Sequence, residues 1–434
     1  MPSQRSFVAA GLLTLLLAFA AVRPSLALLV LALDAVLVAA FALDVARARG
    51  LPLQAARLWP PLLVQGATAP VSVRFDAGRA VTLLARDALH PALARGPEHA
   101  RLSLPAGVSD WSYAVVPRRR GAHEAGPLTV RVLGPWGLGY SQRELVRPET
   151  CRVYPQVRWE GQAGRLLTLA QRHELGQSPM RVQGTGREPY GLREYRAGDP
   201  LSRIHWKATA RHGRLISQED AWERGSRLVV MLEAGRAMAS LDGARSKLDH
   251  GLAATLALAR VALSRGDRVS ILAFSDRIER SVRLRPSDRS ASWGFEALFD
   301  LEARLAEPAY DVAVEALCRL EPRRATVVLL TSLVDLAAAE GMREALAGLR
   351  RHQVLLVNLE DPELVALARG APATAAEAFA KVSALEILLG NRRLGRQLRR
   401  LGIRVTQAAA DALTLRTLEA YLRLVRPARS RSSS

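Results

Sequence analysis

The sequence predicts a membrane-anchored α/β protein in which a mostly parallel sheet follows a smaller β-rich domain. Three observations support this prediction. Two long apolar runs open the chain, short alternating runs lie between residues 51 and 165, and continuous apolar runs alternate with helical stretches after Gly225. A chain of 434 residues is expected to form two or three domains, because a single hydrophobic core seldom grows that large.

Residues 1–49 are predicted to form a transmembrane helical hairpin. Residues 7–22 form an uncharged apolar run, and residues 26–43 form a second run in which Asp34 is the only charge. A helix needs about 20 apolar residues to cross the hydrocarbon core, with ~17 as the lower end. Both runs suffice if flanking residues snorkel to the interface. A cleaved signal peptide is the alternative, and the second run counts against it.

Basic residues determine the predicted orientation of this hairpin. Arg5 precedes the first run, and Arg47, Arg49 and Arg57 follow the second, whereas Arg23 is the only basic residue in the link. Arginine collects on the cytoplasmic side of a membrane. Both termini and the main domains are therefore predicted to be cytoplasmic, in a two-pass protein of the inner (cytoplasmic) membrane.

The segment 51–165 is predicted to be a small β-sandwich domain. Apolar and polar residues mostly alternate in short runs that Gly, Pro and Asp clusters separate, which is typical of antiparallel strands with one buried face. The clearest of these runs are residues 71–75, 80–84, 111–116 and 128–132. A connecting segment, 166–225, is expected to lead from this domain to the α/β domain.

Residues 226–425 are predicted to form the α/β domain. Its strands are expected in continuous apolar runs of the kind buried on both faces, which favours a parallel, doubly wound sheet. These runs are residues 228–232, 269–274, 325–330, 354–358 and 403–405. Helices are expected near residues 248–263, 309–320, 372–400 and 412–424. The Arg- and Ser-rich tail, 426–434, is predicted to be disordered.

The ends of these strands are where such a sheet binds ligands. The domain has no GxGxxG or GxxxxGK[ST] motif, so nucleotide binding of those kinds is not predicted. A von Willebrand factor A (vWA) sheet shows the same alternation, with a metal site that begins Asp-x-Ser-x-Ser after its first strand. Here Glu233, Gly235 and Ala237 stand at those positions, and Ser332 stands where an Asp is usual.

A divalent cation needs several oxygen ligands in fixed geometry, and three of those ligand groups are lost here. We therefore predict a vWA-like (Rossmann-type) sheet with a degenerate metal site that binds neither a metal nor a cofactor. The two cysteines, Cys151 and Cys318, form no CxxC motif, and the sequence shows no His/Cys cluster of the kind that binds zinc.

The net charge of +20 comes mostly from arginine residues spread along the chain. Such a charge attracts nucleic acid without sequence preference, and this non-specific binding is one alternative function. No recognition motif accompanies the charge, so specific binding of nucleic acid is not predicted.

Residues 191–213 are unusually rich in charged and aromatic side chains. Asp199 followed by proline is a typical helix start, and Gly213 is a typical stop, which predicts a helix over residues 200–211. Its spacing places Arg203, Trp206 and Lys207 on one face. Two cations beside an indole are suited to docking a carboxylate or an acidic peptide.

Two other interpretations of this segment remain open. Glu194 and Asp199 could neutralise the cations internally, which would make the segment a structural clasp that joins domains. Alternatively, Glu194, Asp199 and His205 are the acid and base candidates of an enzyme acting on an envelope precursor. That hypothesis requires the two carboxylates to converge on a pocket. The sequence shows no adjacent nucleophile with a base, so a non-enzymatic function is favoured.

The segment Tyr190-Gly-Leu-Arg-Glu-Tyr-x-x-Gly-Asp-x-x-x-Arg-Ile-x-Trp-Lys-x-Thr-Ala-Arg211 resembles the signature of a bacterial family, domain of unknown function 58. The N-terminal hairpin, Arg-Arg-Gly at 119–121, Gly-Pro-Trp-Gly-Leu at 134–138 and Asp-Pro-Glu-Leu at 361–364 are similar too. The signature residues taken as candidates for partner binding are Arg193, Glu194, Tyr195, Gly198, Asp199, Arg203, Trp206, Lys207 and Arg211.

The resemblance implies a membrane-anchored member of a family without an established activity. Genes of the family commonly neighbour those of MoxR-type AAA+ ATPases and of transglutaminase-like membrane proteins. We therefore expect an interaction or scaffold protein of the bacterial inner membrane. Its expected partners are a MoxR-type AAA+ ATPase, other membrane proteins and the lipid bilayer, in envelope function or complex assembly. The loop 233–238 is the alternative docking surface.

Overall fold

The structure is a computed structural model that describes residues 2–20, 27–95, 99–157, 189–194, 205–220, 226–286, 296–333 and 336–425. The chain divides into two compact units, Met1–Gln156 and Val157–Ser434. The first unit contains the apolar N-terminal helices and a β-rich body. The second contains the α/β domain.

The chain begins with two apolar helices, α1 (Gln4–Ala20) and α2 (Ala27–Arg49), which contact each other. In the described part of the chain, one helix is long and apolar enough to cross a membrane: Leu28–Arg49, with 22 residues and a mean hydropathy of 2.5. Only 11% of its apolar window is buried, which favours a membrane span over a core helix. This helix extends six residues beyond the predicted end at residue 43, and Asp44, Arg47 and Ala48 in this extension contact the β-rich body.

Asp44 explains this extension. Its carboxylate is fully buried and accepts hydrogen bonds from the backbone N–H groups of Trp136, Leu138 and Gly139, at 2.8, 2.9 and 3.1 Å. The backbone N–H of Ser3, just before α1, donates to the Leu138 carbonyl at 2.9 Å. The start of α1 and the end of α2 therefore bind the same loop, residues 134–139.

The β-rich body contains strands β1 (Leu53–Leu58), β2 (Leu63–Val64), β3 (Ala69–Ala77), β4 (Val81–Asp87), β5 (Leu93–Arg95), β6 (His99–Leu104), β7 (Gly107–Pro117), β8 (Gly121–Ala125), β9 (Leu128–Leu133), β10 (Tyr140–Val146) and β11 (Glu149–Tyr154). They form sheets in the orders β1-β3-β7-β5, β10-β9-β4-β6 and β2-β11-β8. The first two sheets are antiparallel and contribute alternate residues to one core, among them Val73 and Phe75 from β3 and Leu83 from β4. The predicted strand runs all lie in this body.

A fully buried ion pair lies within this unit. The Arg57 guanidinium donates to both carboxylate oxygens of Asp87, and Tyr113 donates its hydroxyl to the same carboxylate. Arg57 also donates to Glu149 at 2.8 Å and to the Gly126 carbonyl at 2.8 Å. Neither Arg57 nor Asp87 exposes any side-chain surface.

The strands of the second unit are β12 (Pro189–Glu194), β13 (Ile216–Asp220), β14 (Arg227–Glu233), β15 (Leu241–Asp242), β16 (Arg245–Ser246), β17 (Arg268–Phe274), β18 (Ile278–Leu284), β19 (Thr326–Thr331), β20 (Gln353–Leu359) and β21 (Arg404–Ala408). Its helices are α3 (Trp206–His212), α4 (Lys247–Ser264), α5 (Tyr310–Leu320), α6 (Leu336–Ala347), α7 (Pro362–Arg369), α8 (Ala375–Arg400) and α9 (Leu413–Val425).

Six of these strands form the central sheet, in the order β18-β17-β14-β19-β20-β21. All neighbouring pairs are parallel except β17–β18, so the predicted mostly parallel α/β sheet is confirmed. Strand β14 shows why its apolar run is continuous. Leu228, Val230 and Leu232 pack into the core with α4 and α9, whereas Val229 and Met231 pack into the core with α5, α6 and α8.

The helix predicted over residues 200–211 is interrupted at His205; residues 200–204 lie outside the described residues, and the described helix begins at Trp206. His205 is the N-cap of α3, with φ −85° and ψ 86°, and its backbone N–H donates to the Ile216 carbonyl on β13 at 2.8 Å. This bond holds His205 in a non-helical conformation, so a continuous helix cannot pass through it. Asp199 lies outside the described residues. The predicted stop is confirmed, because Gly213 is left-handed (φ 65°) and its N–H caps the Thr209 carbonyl.

Candidate functional site

Polar side chains gather where the parallel strands of the central sheet end. Glu233 ends β14, Ser275 follows β17, Thr331 ends β19 and Asn358 lies near the end of β20, and all four are buried. Ser332, after β19, is buried as well. Carboxyl ends of parallel strands meet at one edge of an open sheet, which is where such folds bind ligands. We call these residues, with Lys247 and Asp361, the carboxyl-edge cluster.

Glu233 is the most perturbed titratable group of this cluster. Its Oε2 accepts hydrogen bonds from the hydroxyl of Thr331, from the hydroxyl of Tyr310 at 3.3 Å and from the backbone N–H of Ser332 at 3.4 Å. Its Oε1 is buried with no hydrogen-bond partner among the described residues. Burial raises the pKa of this carboxyl to about 7, although the three hydrogen bonds act in the opposite direction.

The cation of the cluster is Lys247, the first residue of α4. Its ammonium lies 2.7 Å from Asp361 Oδ2 and 3.2 Å from the Ser332 hydroxyl, and its side chain is 2% exposed. Asp361 also caps α7, because its Oδ1 accepts the N–H groups of Glu363 and Leu364. Burial opposes ionisation of Asp361, but the hydrogen bond and charge of Lys247 outweigh it and lower the pKa of that carboxyl.

These residues do not fit a divalent metal ion. Gly235 and Ala237 supply no side-chain oxygen, and a Cβ at Gly235 would lie 3.0 Å from the Ala306 carbonyl oxygen, so a serine there would be crowded. The Ser332 hydroxyl already contacts an ammonium group, which repels a cation. No group of three or more His, Cys, Asp or Glu residues suited to a metal occurs among the residues that the structure describes.

The predicted docking loop at residues 233–238 is largely inaccessible. It leads into a 3-10 turn, Arg236–Ala239, whose Met238 is fully buried, and Ala234 is also fully buried. Arg236 is exposed, but it pairs with Glu307 at 2.6 Å. This loop therefore offers little free surface to a partner.

Helix α3 presents a different surface. Trp206 is 66% exposed, and Lys207 and Arg211 are exposed one helical turn apart. Neither cation has a hydrogen-bond or ion-pair partner in the described part of the chain. The opposite side of α3 is anchored, since Ala208 and Ile216 are buried. We call Trp206, Lys207 and Arg211 the α3 surface.

The remaining signature residues are only partly described. Arg193 and Glu194 lie in β12, which pairs antiparallel with β13. Tyr195, Gly198, Asp199 and Arg203 lie outside the described residues. His205 has a structural role, because its Nδ1 accepts the Ala208 N–H at 3.1 Å as the cap of α3. The prediction that Arg203 shares a helical face with Trp206 falls on a residue outside the described part of the chain.

Lys247 is the functional-site residue that sequence reasoning missed. Its partner Asp361 lies 114 positions away in the chain, so no local pattern joins them. The available signal was the start of a helix, because Ser246 and Asp249 form a capping box around Lys247. That pattern places Lys247 at the first turn of a helix but does not say what it contacts.

No curated protein matches the chain. Among solved structures, it is similar to a conserved hypothetical protein, BatB, from Bacteroides thetaiotaomicron, with 13% identity, a TM-score of 0.29, and coverage of 47% of this chain and 100% of that one. It is also similar to a CARDB domain from Pyrococcus furiosus, with 15% identity, a TM-score of 0.19, and coverage of 24% and 93%. TM-scores this low give no basis for transferring a fold or a function.

The family comparison is more specific. The matching family model is described as "Protein of unknown function DUF58", and the match covers residues 191–378. This region contains the α3 surface and the carboxyl-edge cluster described above. The resemblance found in the signature around Trp206 is thereby confirmed, because residues 191–378 match the DUF58 family model.

Proposed function

We propose that this protein is a membrane-anchored, non-enzymatic interaction or scaffold protein whose degenerate vWA-like domain docks a cytoplasmic partner. The partner we propose is a MoxR-type AAA+ ATPase, in envelope function or complex assembly. The observation that carries this proposal is the α3 surface, where an indole that is 66% exposed lies beside two cations without described partners. Tryptophan and arginine, two of the three residues of this surface, are among the types that most often dominate binding energy at protein interfaces.

The α3 surface is suited to an acidic partner segment. Lys207 and Arg211 lie four residues apart on one helix, where like charges repel each other by a few tenths of a kcal/mol. A carboxylate placed between them relieves that repulsion, and the face of Trp206 provides apolar contact area. Charge complementarity of this kind increases the association rate and the specificity of docking.

The carboxyl-edge cluster supports a mode of binding that does not depend on a metal. The Lys247 ammonium lies beside the Ser332 hydroxyl, and the Asp361 carboxylate balances its charge. Metal-dependent capture of a ligand by a vWA domain needs the oxygen ligands of the Asp-x-Ser-x-Ser site, which Glu233, Gly235 and Ala237 do not supply. Partner binding is therefore assigned to α3 and not to the strand ends.

The N-terminal helices support anchoring by a two-pass hairpin. Ser3 and Asp44 both bind the loop 134–139, so the start of α1 and the end of α2 lie on the same side of the helix pair. A hairpin that crosses a membrane twice requires this arrangement. Arg47 and Arg49 at the end of α2 favour a cytoplasmic location for that side.

The experiment is affinity purification with chemical crosslinking from native membranes, comparing the wild type with the variant Trp206→Ala/Lys207→Glu. Its matched control is Leu401→Ala/Arg400→Glu, which removes an exposed apolar side chain and reverses a charge at the end of α8. We expect the α3 variant to lose the ATPase, with affinity reduced about 30-fold or more, and the control to retain it.

A thermal melt separates docking from folding. The α3 variant is expected to melt within a few degrees of the wild type, since the altered side chains are exposed. If a well-folded variant recovers the same partners as the wild type, the α3 surface is not the docking site. Recovery of nucleic acid in place of a protein partner, abolished by added salt, would favour the alternative function based on charge.

A further inference from the structure

A basic groove lies in the first unit, beside the start of α1. It has a volume of about 780 Å³ and is bordered by the first residues of α1, by strands β4 and β6 and by the loop 134–139. Arg5, Arg79 and Arg101 line it, and no carboxylate is among its lining residues. The groove therefore carries three positive charges and no negative charge to balance them.

These three arginines have no partners in the described part of the chain. No hydrogen bond or ion pair joins any of their side chains to another described residue. Other arginines of the same unit do find carboxylates, as Arg57 does with Asp87 and Arg74 does with Asp110. The groove therefore brings together three arginines without a carboxylate partner among the described residues.

The groove also has apolar lining residues, and the loop 134–139 forms one of its walls. Leu51 and Leu84 line it together with the hydroxyl-bearing Thr82. Gly137, at φ 71°, lies against the Arg5 guanidinium, and a Cβ there would come within 3.1 Å of Arg5 Nη1. Because an L-residue other than glycine is disfavoured at this φ, the loop leaves room for the guanidinium.

We propose that this groove binds the phosphate of an anionic phospholipid headgroup. Arginine is the preferred side chain for phosphate, because its planar fork donates two parallel hydrogen bonds to phosphate oxygens. Basic pockets beside membrane helices on the cytoplasmic side are a recurrent means of binding anionic lipid headgroups.

The position of the groove selects a lipid over a free phosphate. It lies where α1 begins, and the next side chains of α1, Phe7 and Val8, are 65% and 63% exposed on an apolar helix. A phosphate in the groove would place its acyl chains alongside that apolar surface. This assignment rests on the membrane anchoring that forms part of the proposed function.

The test uses the full chain purified in detergent from vesicles that contain phosphatidylcholine and phosphatidylglycerol in equal amounts. Native mass spectrometry counts the lipids of each kind that stay bound. We compare the wild type with Arg79→Gln/Arg101→Gln and with a matched control, Arg118→Gln/Arg119→Gln, which removes two exposed arginines of the same unit that do not line the groove.

We expect the wild type and the control to retain phosphatidylglycerol selectively, and the groove variant to bind it about 10- to 30-fold more weakly. Equal retention of the two lipids by the wild type, or equal losses in the two variants, would overturn the groove proposal. Displacement of the lipid by millimolar glycerol phosphate would assign the site to free phosphate compounds instead.

Vesicle flotation distinguishes a wrong groove proposal from a wrong proposal of membrane anchoring. A wild-type chain that does not float with vesicles of either lipid would overturn both the anchoring and the groove. A chain that floats with both lipids, without retaining phosphatidylglycerol, would overturn the groove alone.

Discussion

The two units of the molecule each bury an ion pair, and the two pairs differ in how far they are closed to water. In the first unit, Arg57 and Asp87 expose no side-chain surface. In the second, Lys247 is 2% exposed, whereas Asp361 is 20% exposed at the carboxyl edge of the sheet. The first pair is therefore fully desolvated, and the second is desolvated only at its cation.

This difference indicates a difference in role. An ion pair with no exposed side-chain surface cannot contact a ligand. Its role is structural, because it holds together the strands that carry its two residues. A buried pair is costly to desolvate, so the loss of one member leaves an uncompensated charge. At the carboxyl edge, Asp361 also caps a helix and keeps contact with water. Loss of the pairing should therefore destabilise the buried Lys247 ammonium more than it destabilises the Asp361 carboxylate.

The largest effect is expected for Asp87→Ala in the closed pair. The substitution leaves the Arg57 charge buried beside Glu149 alone and removes the acceptor of the Tyr113 hydroxyl. We expect the free energy of unfolding to fall by about 3–5 kcal/mol, measured by urea denaturation of the full chain in detergent. The transition of the first unit should account for the loss.

The matched control for this change is Asp110→Ala. Asp110 pairs with Arg74 across neighbouring strands of the same unit, but both side chains are about half exposed. Exposed pairs contribute little because water and salt screen them, so no measurable change in unfolding is expected. Similar losses for the two alanine variants would contradict the distinction between closed and open pairs.

The two units also differ in what the sequence could predict about their folds. In the second unit, the buried strands appear as continuous apolar runs, and each predicted run matches a strand of the central sheet within a few residues. Strand β18 was not predicted, because polar residues interrupt the apolar ones along this edge strand and leave no continuous apolar run. The predicted helix over residues 200–211 is interrupted at His205 because its backbone N–H donates to the Ile216 carbonyl, a contact that no local pattern indicates.

The sites were less predictable than the folds. The location of Glu233 and Ser332 could be predicted from the sequence. Each lies at the end of a predicted apolar strand, and the ends of parallel strands lie at the same edge of the sheet. The pairing of Lys247 with Asp361 depends on how two distant helices meet the sheet, which no sequence spacing records. The same holds for Arg5, Arg79 and Arg101, which come together only through the packing of the first unit.

Glu233 is buried at the same sheet edge as the Lys247–Asp361 pair, and no described cation pairs with it. Its pKa in the folded protein is about 7, above the ordinary value of 4.5, so the folded state holds this proton more tightly than the unfolded state. The resulting stability is fully present below pH 4.5 and is lost as the pH rises to about 7. Across that window the loss amounts to about 3 kcal/mol.

Replacing Glu233 with Gln removes this titration. The variant should lack the decline in unfolding free energy between pH 4.5 and 7 that the wild type shows, measured by denaturation at several pH values. Glu279→Gln is the control, because its carboxyl accepts a hydrogen bond from Ser275 at the same sheet edge. Parallel pH profiles for the wild type and Glu233→Gln would show that another group causes the decline.

The smallest effect is expected for Lys247→Met in the open pair. Methionine has a similar length and is apolar, so it can occupy the buried path of the lysine stem. Asp361 then remains partly exposed and still accepts the backbone N–H groups of Glu363 and Leu364. We expect the free energy of unfolding to change by less than about 1 kcal/mol, because the Asp361 carboxylate that loses its cation is 20% exposed and keeps two backbone hydrogen bonds.

The reciprocal variant, Asp361→Asn, tests whether this asymmetry is real. Asparagine keeps the cap of α7 but leaves the Lys247 ammonium buried, with the Ser332 hydroxyl as its remaining partner among the described residues. Asp361→Asn should therefore destabilise the protein more than Lys247→Met does, by about 1–2 kcal/mol. If the lysine variant were the more costly, Lys247 would hold the sheet edge together as Arg57 holds the β-rich body, and the two ion pairs would share one structural role.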